Sequence, residues 1–219
     1  MATFGNLKRR IKRDVRARDG LRLSEEDIDD AVNDAIQHYE HHRFFFNEGN
    51  AENGLGQTIT TVAGTASYAF PSLVIDLDEV LYLDNGDLEP LTQISWHQYR
   101  DETRNPTTFT GVPDHYALHG GWIYFDPTPD EVTTVTLTGL MRLTPTPLSL
   151  PSHSNGWTTH GLALIKARAC WDLSLNALAN PDRAVDFKTA ENDALTELIG
   201  ATNLRTSTGS AYVPYWDRV

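Results

Sequence analysis

The chain has 219 residues, 40% hydrophobic and 22% charged, an ordinary globular composition that supports one large domain or two small ones. No run approaches the ~18 apolar residues of a membrane span, and MATFGNLKRRIKRDVRARDG lacks the apolar core of a signal peptide. A lone cysteine, Cys170, excludes an intramolecular disulfide framework and any cysteine-based zinc site, and it points to a reducing cytoplasm. Net charge is −12 but uneven: residues 1–22 hold eight Lys and Arg against two Asp, and the rest holds ten basic and 28 acidic side chains. Such an arm seeks an acidic partner, nucleic acid or protein, or is the solvated face of a short helix. The acidic body suits a surface that DNA passes without sticking.

Phe4, Leu7, Ile11 and Val15 recur at helical spacing and predict an amphipathic helix over 4–18 that Gly20 stops. Its outer face is basic, with Lys8, Arg9, Arg10, Lys12, Arg13 and Arg16. Ser24 with Asp27 predicts a capping box for a second helix, whose stripe Ile28, Val32, Ala35, Ile36 and Tyr39 runs on toward Phe44–Phe46 and ends before Gly49. Residues 55–143 then read as β-rich. EVLYL pairs with LEPLTQI across Asn85-Gly86, Ser95 caps a short helix, HYALH pairs with WIYFD across Gly120-Gly121, and the alternation in EVTTVTLTGLMRL predicts a long closing strand. Six or seven short strands in this pattern predict a sandwich or barrel.

A proline connector, Thr144-Pro145-Thr146-Pro147 to Pro151, leads to a helix capped by Thr158 or Thr159 and running to Ala179, with Leu162, Ile165, Ala169 and Leu173 on one face. Asn180-Pro181 starts a last helix ending near Gly200, with Val185, Leu195, Leu198 and Ile199 as its apolar positions. The predicted fold is α+β. A helical stem of two N-terminal and two C-terminal helices (1–50 and 151–201) carries an inserted antiparallel β-sandwich or barrel lobe (51–150) and an extended C-terminal tail (202–219).

The residue types that could carry chemistry favour structural readings. His38 and His42 are i, i+4 neighbours beside His41, but no HExxH is present and a surface cluster is expected. Asp27, Asp29 and Asp30 lack the glycine and closing glutamate of a calcium loop. Asp76, Asp78 and Glu79 flank a strand entry, and Cys170 lies within a helical stripe as a small buried residue. Trp96, Trp122 and Tyr124 would serve as a sugar platform only if the WIYFD hairpin left them open. No GxSxG, P-loop or GxGxxG occurs, so no catalytic residue, metal or cofactor is expected.

The segments IDDAVNDAIQHYEHHRFFF, TTVAGTASYAFPSLVIDLDEVLYLDNGDLEPL, TGVPDHYALHGGWIYFDPTPDEVTTVTLTGLMRL and WTTHGLALIKARACWDLSL, in that order, resemble the head–tail adaptor (connector) proteins of tailed bacteriophages, the type with a β-lobe inserted in a helical stem. GxPxxYAL…IYFDPxP is the most specific phrase. The resemblance implies a structural virion protein, made in the host cytoplasm, without enzymatic activity. It implies a homo-oligomeric, dodecameric ring docked on the portal protein, extending the channel for double-stranded DNA and offering a platform to the downstream tail or nozzle protein. The portal-gripping segment would fall on Tyr212, Val213, Pro214, Tyr215 and Trp216. The alternative, from a different function class, is a β-sandwich recognition module, for example a carbohydrate-binding one, with accessory helices.

Overall fold

The computed structural model describes residues 2–16, 23–50, 52–84, 86–102 and 109–205. The chain is mixed α+β and divides into two compact units, Met1–Asn47 with Arg142–Val219, and Glu48–Met141.

The first unit opens with α1 (Phe4–Arg16), which buries Phe4, Leu7, Ile11 and Val15 as the spacing predicts. Its first turn is fixed by backbone bonds from the Phe4 and Gly5 amides to the His153 and Pro151 carbonyls, at 2.8 and 2.9 Å. The expected stop at Gly20 lies outside the described residues. The next helix, α2 (Glu25–Tyr39), carries the predicted capping box: the Asp27 amide donates to Ser24 Oγ at 3.0 Å and the Ser24 amide to Asp27 Oδ2 at 2.9 Å. It buries Ile28, Ala31, Val32, Ala35, Ile36 and Tyr39. The helix stops at Tyr39, short of the phenylalanines. Phe44 and Phe46 are buried from a turn, held where Asn47 accepts from the Phe44 amide (2.7 Å) and donates to the His42 carbonyl (2.9 Å).

The second unit runs β1 (Glu48–Gly49), β2 (Gln57–Thr60), β3 (Ser67–Ala69), β4 (Val74–Asp84), β5 (Asp87–Pro90), β6 (Thr92–Gln93), α3 (Trp96–Glu102), β7 (Thr110–Gly111), β8 (His115–His119), β9 (Trp122–Asp126), β10 (Thr128–Pro129) and β11 (Thr134–Met141). One antiparallel sheet is ordered β1-β11-β4-β5, with β2 also on β11. A second is ordered β3-β9-β8-β6, in which β6 runs parallel to β8, and β7 and β10 form a parallel pair. Side chains from both larger sheets share one core, including Val80, Tyr82, Tyr116, Phe125, Val135 and Leu137.

Both predicted hairpins are present. Asp84 pairs with Asp87 around Gly86 (φ +99°), while Asn85 lies outside the described residues. Gly120 and Gly121, at φ +58° and +80°, supply the left-handed pair that joins His119 to Trp122. Ser95 caps α3, its Oγ accepting from the Gln98 amide at 3.2 Å. The alternation expected of β11 is absent from its exposure: every residue from Val135 to Met141 is buried, Thr136 and Thr138 included, so this strand is covered on both faces. At Gly139 (φ +137°) a Cβ would lie 2.2 Å from the Asp76 carbonyl, so a bulge opposite β4 admits only glycine.

Back in the first unit, the connector is tied down. The Leu148 amide donates to Asn33 Oδ1 at 2.8 Å, Asn33 Nδ2 returns a bond to the Leu148 carbonyl at 3.1 Å, and both Thr-Pro bonds are cis. Asn155, not Thr158 or Thr159, caps the short α4 (Gly156–Thr159), because its Oδ1 reaches the amides of Trp157 and Thr158. The central helix is α5 (Leu162–Asp172), which touches α1, α2 and α4 and continues into one π-helical turn, Leu173–Ala177. Asn180 caps the last helix, α6 (Pro181–Arg205), through the Arg183 amide at 3.2 Å. It passes Gly200 without a break, so residues 202–205, expected to open the tail, are helical. Val185 is 66% exposed, contrary to its expected apolar role.

Arg142, where the chain re-enters the first unit, donates two hydrogen bonds to buried Glu40, Nε at 3.0 Å and Nη2 at 2.8 Å. The bidentate geometry adds strength and fixes direction. Arg142→Ala should lower the unfolding free energy in urea by about 2–3 kcal/mol, less than for a fully buried pair because the arginine side chain is 39% exposed. A change below ~0.5 kcal/mol would show that the pair is not a structural clasp.

Candidate interaction surfaces

The basic residues of α1 fall into two groups. Lys8 and Lys12 flank the buried stripe and reach the first turns of α2: Lys8 Nζ lies 2.7 Å from Asp29 and 3.7 Å from Glu25, and Lys12 pairs with Glu25. On the other flank Lys166 of α5 binds Asp14 at 2.8 Å. Partial burial pushes the Asp14 carboxyl up, but the bonds from Lys166 and Arg13 outweigh it and hold its pKa below the usual value. Arg183 of α6 donates to the Val15 and Asp14 carbonyls at the C-terminal end of α1. Arg9, Arg10 and Arg13 remain exposed, with Arg9 touching Asn6 and Arg13 touching Asp14 at 3.1 Å. Arg16 closes the helix. Sequence identifies the basic face, and the structure separates its internally paired lysines from its outward arginines.

The remaining candidates are packing or surface residues. His38 and His41 are exposed, but His42 is not a surface residue: its ring stacks on Phe44 (6.1 Å between centroids) and meets Tyr39 edge-on (5.3 Å). Burial, with His38 and His41 nearby, lowers its pKa. Among the described residues no three or more His, Cys, Asp or Glu gather as a metal site. Asp27 serves the cap, Asp29 takes Lys8, and Asp30 faces solvent. Asp76, Asp78 and Glu79 lie within β4 on exposed positions. Cys170 is fully buried and its thiol is pushed up to about 12, chiefly by desolvation, which leaves it protonated and unreactive at neutral pH.

In the second unit Trp96 stacks on His119 at 4.4 Å and 3° and also contacts Tyr99 and Tyr124, so its ring is engaged by neighbours; Trp122 is 46% exposed. A groove of ≈ 180 Å³ in the first unit, lined by Phe45, His160, Ala163, Ala194, Leu198 and Arg205, is smaller than typical ligand pockets of ~300–1,000 Å³. The portal-gripping candidates Tyr212, Val213, Pro214, Tyr215 and Trp216 lie outside the described residues.

Glu191 of α6 escaped the sequence reading. It is completely buried, accepting from Tyr39 Oη at 2.5 Å, Lys188 Nζ at 3.0 Å and Arg168 Nη1 at 3.4 Å. Both cations also lie over the Trp171 ring. Burial first, and then the adjacent carboxylate, raises the Tyr39 pKa far above its ordinary value, so the phenol is a permanent donor. The group joins α2, α5 and α6, and its polarity is fully used in holding them.

The model of a family described as SU10 adaptor protein matches residues 2–214. No curated protein matches the chain.

Tyr39→Phe removes one donor from a buried carboxylate and should cost about 1.5–3 kcal/mol in urea denaturation. Full retention of stability would mean that the Tyr39–Glu191 bond does not hold α2 to α6.

Proposed function

The chain belongs to the SU10 adaptor protein family, as its resemblance to phage head–tail adaptors implies, and from that we propose a structural role at the head–tail junction of a virion. Copies form a ring, dodecameric by family resemblance, that docks on the portal protein and extends the channel through which double-stranded DNA leaves. Its far side receives the downstream tail protein. The match over residues 2–214 carries this reading. The division into a helical unit and a β unit supports a ring-forming stem with an appended lobe. The acidic balance outside residues 1–22 supports a surface that DNA passes without binding.

Two surfaces follow in this account. The C-terminal segment with Tyr212, Val213, Pro214, Tyr215 and Trp216 grips the portal, and the basic face of α1 meets an acidic neighbour or the passing DNA. The chemistry required is attachment and not turnover. No helix is long and apolar enough to cross a membrane among the described residues.

Electron microscopy of the purified chain mixed with its candidate portal protein tests the proposal. Rings of ~290 kDa, bound to portals, are expected in place of 24.5-kDa monomers. Deleting 210–219 should abolish docking while leaving the circular dichroism spectrum unchanged. Normal docking by that truncation would place the grip elsewhere, and an inert monomer in the presence of the portal would reject the ring.

A further inference from the structure

The described residues of the helical unit present two outward ridges of opposite charge. On α1 the buried residues are Phe4, Leu7, Ile11 and Val15, so at 3.6 residues per turn Arg9 and Arg13 lie opposite the core with Arg10 beside them. On α2 the buried stripe runs Ile28, Val32, Ala35, Ile36 and Tyr39. Glu26, Asp30 and Asp34, spaced by four, therefore line its outer face, and all three are exposed. None of these carboxylates forms an ion pair among the described residues, whereas Glu25 and Asp29, one position earlier, take Lys8 and Lys12. Arg10 likewise has no acidic partner among them. Each ridge thus keeps like charges adjacent, an arrangement unfavourable within a single chain.

A closed ring of identical subunits needs heterologous contacts, in which one face of each copy meets a different face of the next. Two distinct faces with opposite charge meet that requirement, and arginine forks suit carboxylates bidentately. We propose that Arg9, Arg10 and Arg13 on α1 of one copy seat on Glu26, Asp30 and Asp34 on α2 of the next. The inference rests on the ring-forming reading above and selects a neighbouring copy over DNA as the partner of the basic face. Lys8 and Lys12, already paired inside the subunit, orient the face without crossing the interface.

Charge reversal in the full-length chain tests it. One variant carries Arg9→Glu with Arg13→Glu, the other Glu26→Arg with Asp30→Arg, both checked for wild-type circular dichroism. Assembly is followed by sedimentation velocity and ring counting in the presence of the candidate portal. Each variant alone should lose at least ~10-fold in assembled fraction, more strongly at low salt. An equimolar mixture should regain rings, because alternating copies restore opposite charges at every contact. Rings formed by the arginine-reversed variant alone, or no recovery on mixing, would overturn the proposal while leaving the ring reading intact. Failure of the wild-type chain to form rings on the portal would remove the ring reading, and this contact with it.

Discussion

The helical unit is made from two stretches of chain, and Tyr39 and Glu40 at the end of α2 bind the first stretch to the second through buried polar groups. These neighbours at the end of α2 hold different partners from the second stretch. Tyr39 donates to Glu191 on α6, and Glu40 receives the two bonds of Arg142. Closing a loop as long as residues 48–141 costs roughly 4 kcal/mol of chain entropy if the loop is flexible. Here the insert's own ends pair, Glu48 opposite Leu140 and Gly49 opposite Gly139, so the folded insert delivers its two ends side by side. Most of the closure cost therefore falls on the insert's own folding.

The charges of the unit are paired at its helix contacts. Glu191 and Glu40 are acidic and buried, and each is held by arginine, with Lys188 and a phenol in addition at Glu191. Three further basic side chains, Lys8, Lys12 and Lys166, serve α1 by pairing with Glu25, Asp29 and Asp14. A chain of net charge −12 thus holds much of its basic complement at helix contacts. What remains outward on α1 is arginine, and on α2 carboxylate.

Local signals were legible in the sequence and distant ones were not. The caps at Ser24, Ser95 and Asn180 each depend on residues within three positions, and the glycine-centred hairpins on two to four, so each was readable from its own segment. The end of α6 was misread because Gly200 faces open space, where a glycine lowers helix propensity but does not force a stop. Glu191 was invisible because its burial follows from Tyr39, 152 positions away. His42 read as a surface residue for the same reason, since only folding brings its ring onto Phe44. The basic face of α1 was plain from composition. Which of its side chains face outward was settled only by the approach of α2 and α5.

Removing the insert tests the central claim most directly. With Glu48–Met141 replaced by a short Gly-Ser linker joining Asn47 to Arg142, the helical unit keeps both halves of its clasp. Far-ultraviolet circular dichroism combined with urea denaturation should report a helical product that unfolds in a single cooperative transition. A wholly unfolded product would contradict the account, because it would mean that the helices do not form a unit without the β-rich segment between them.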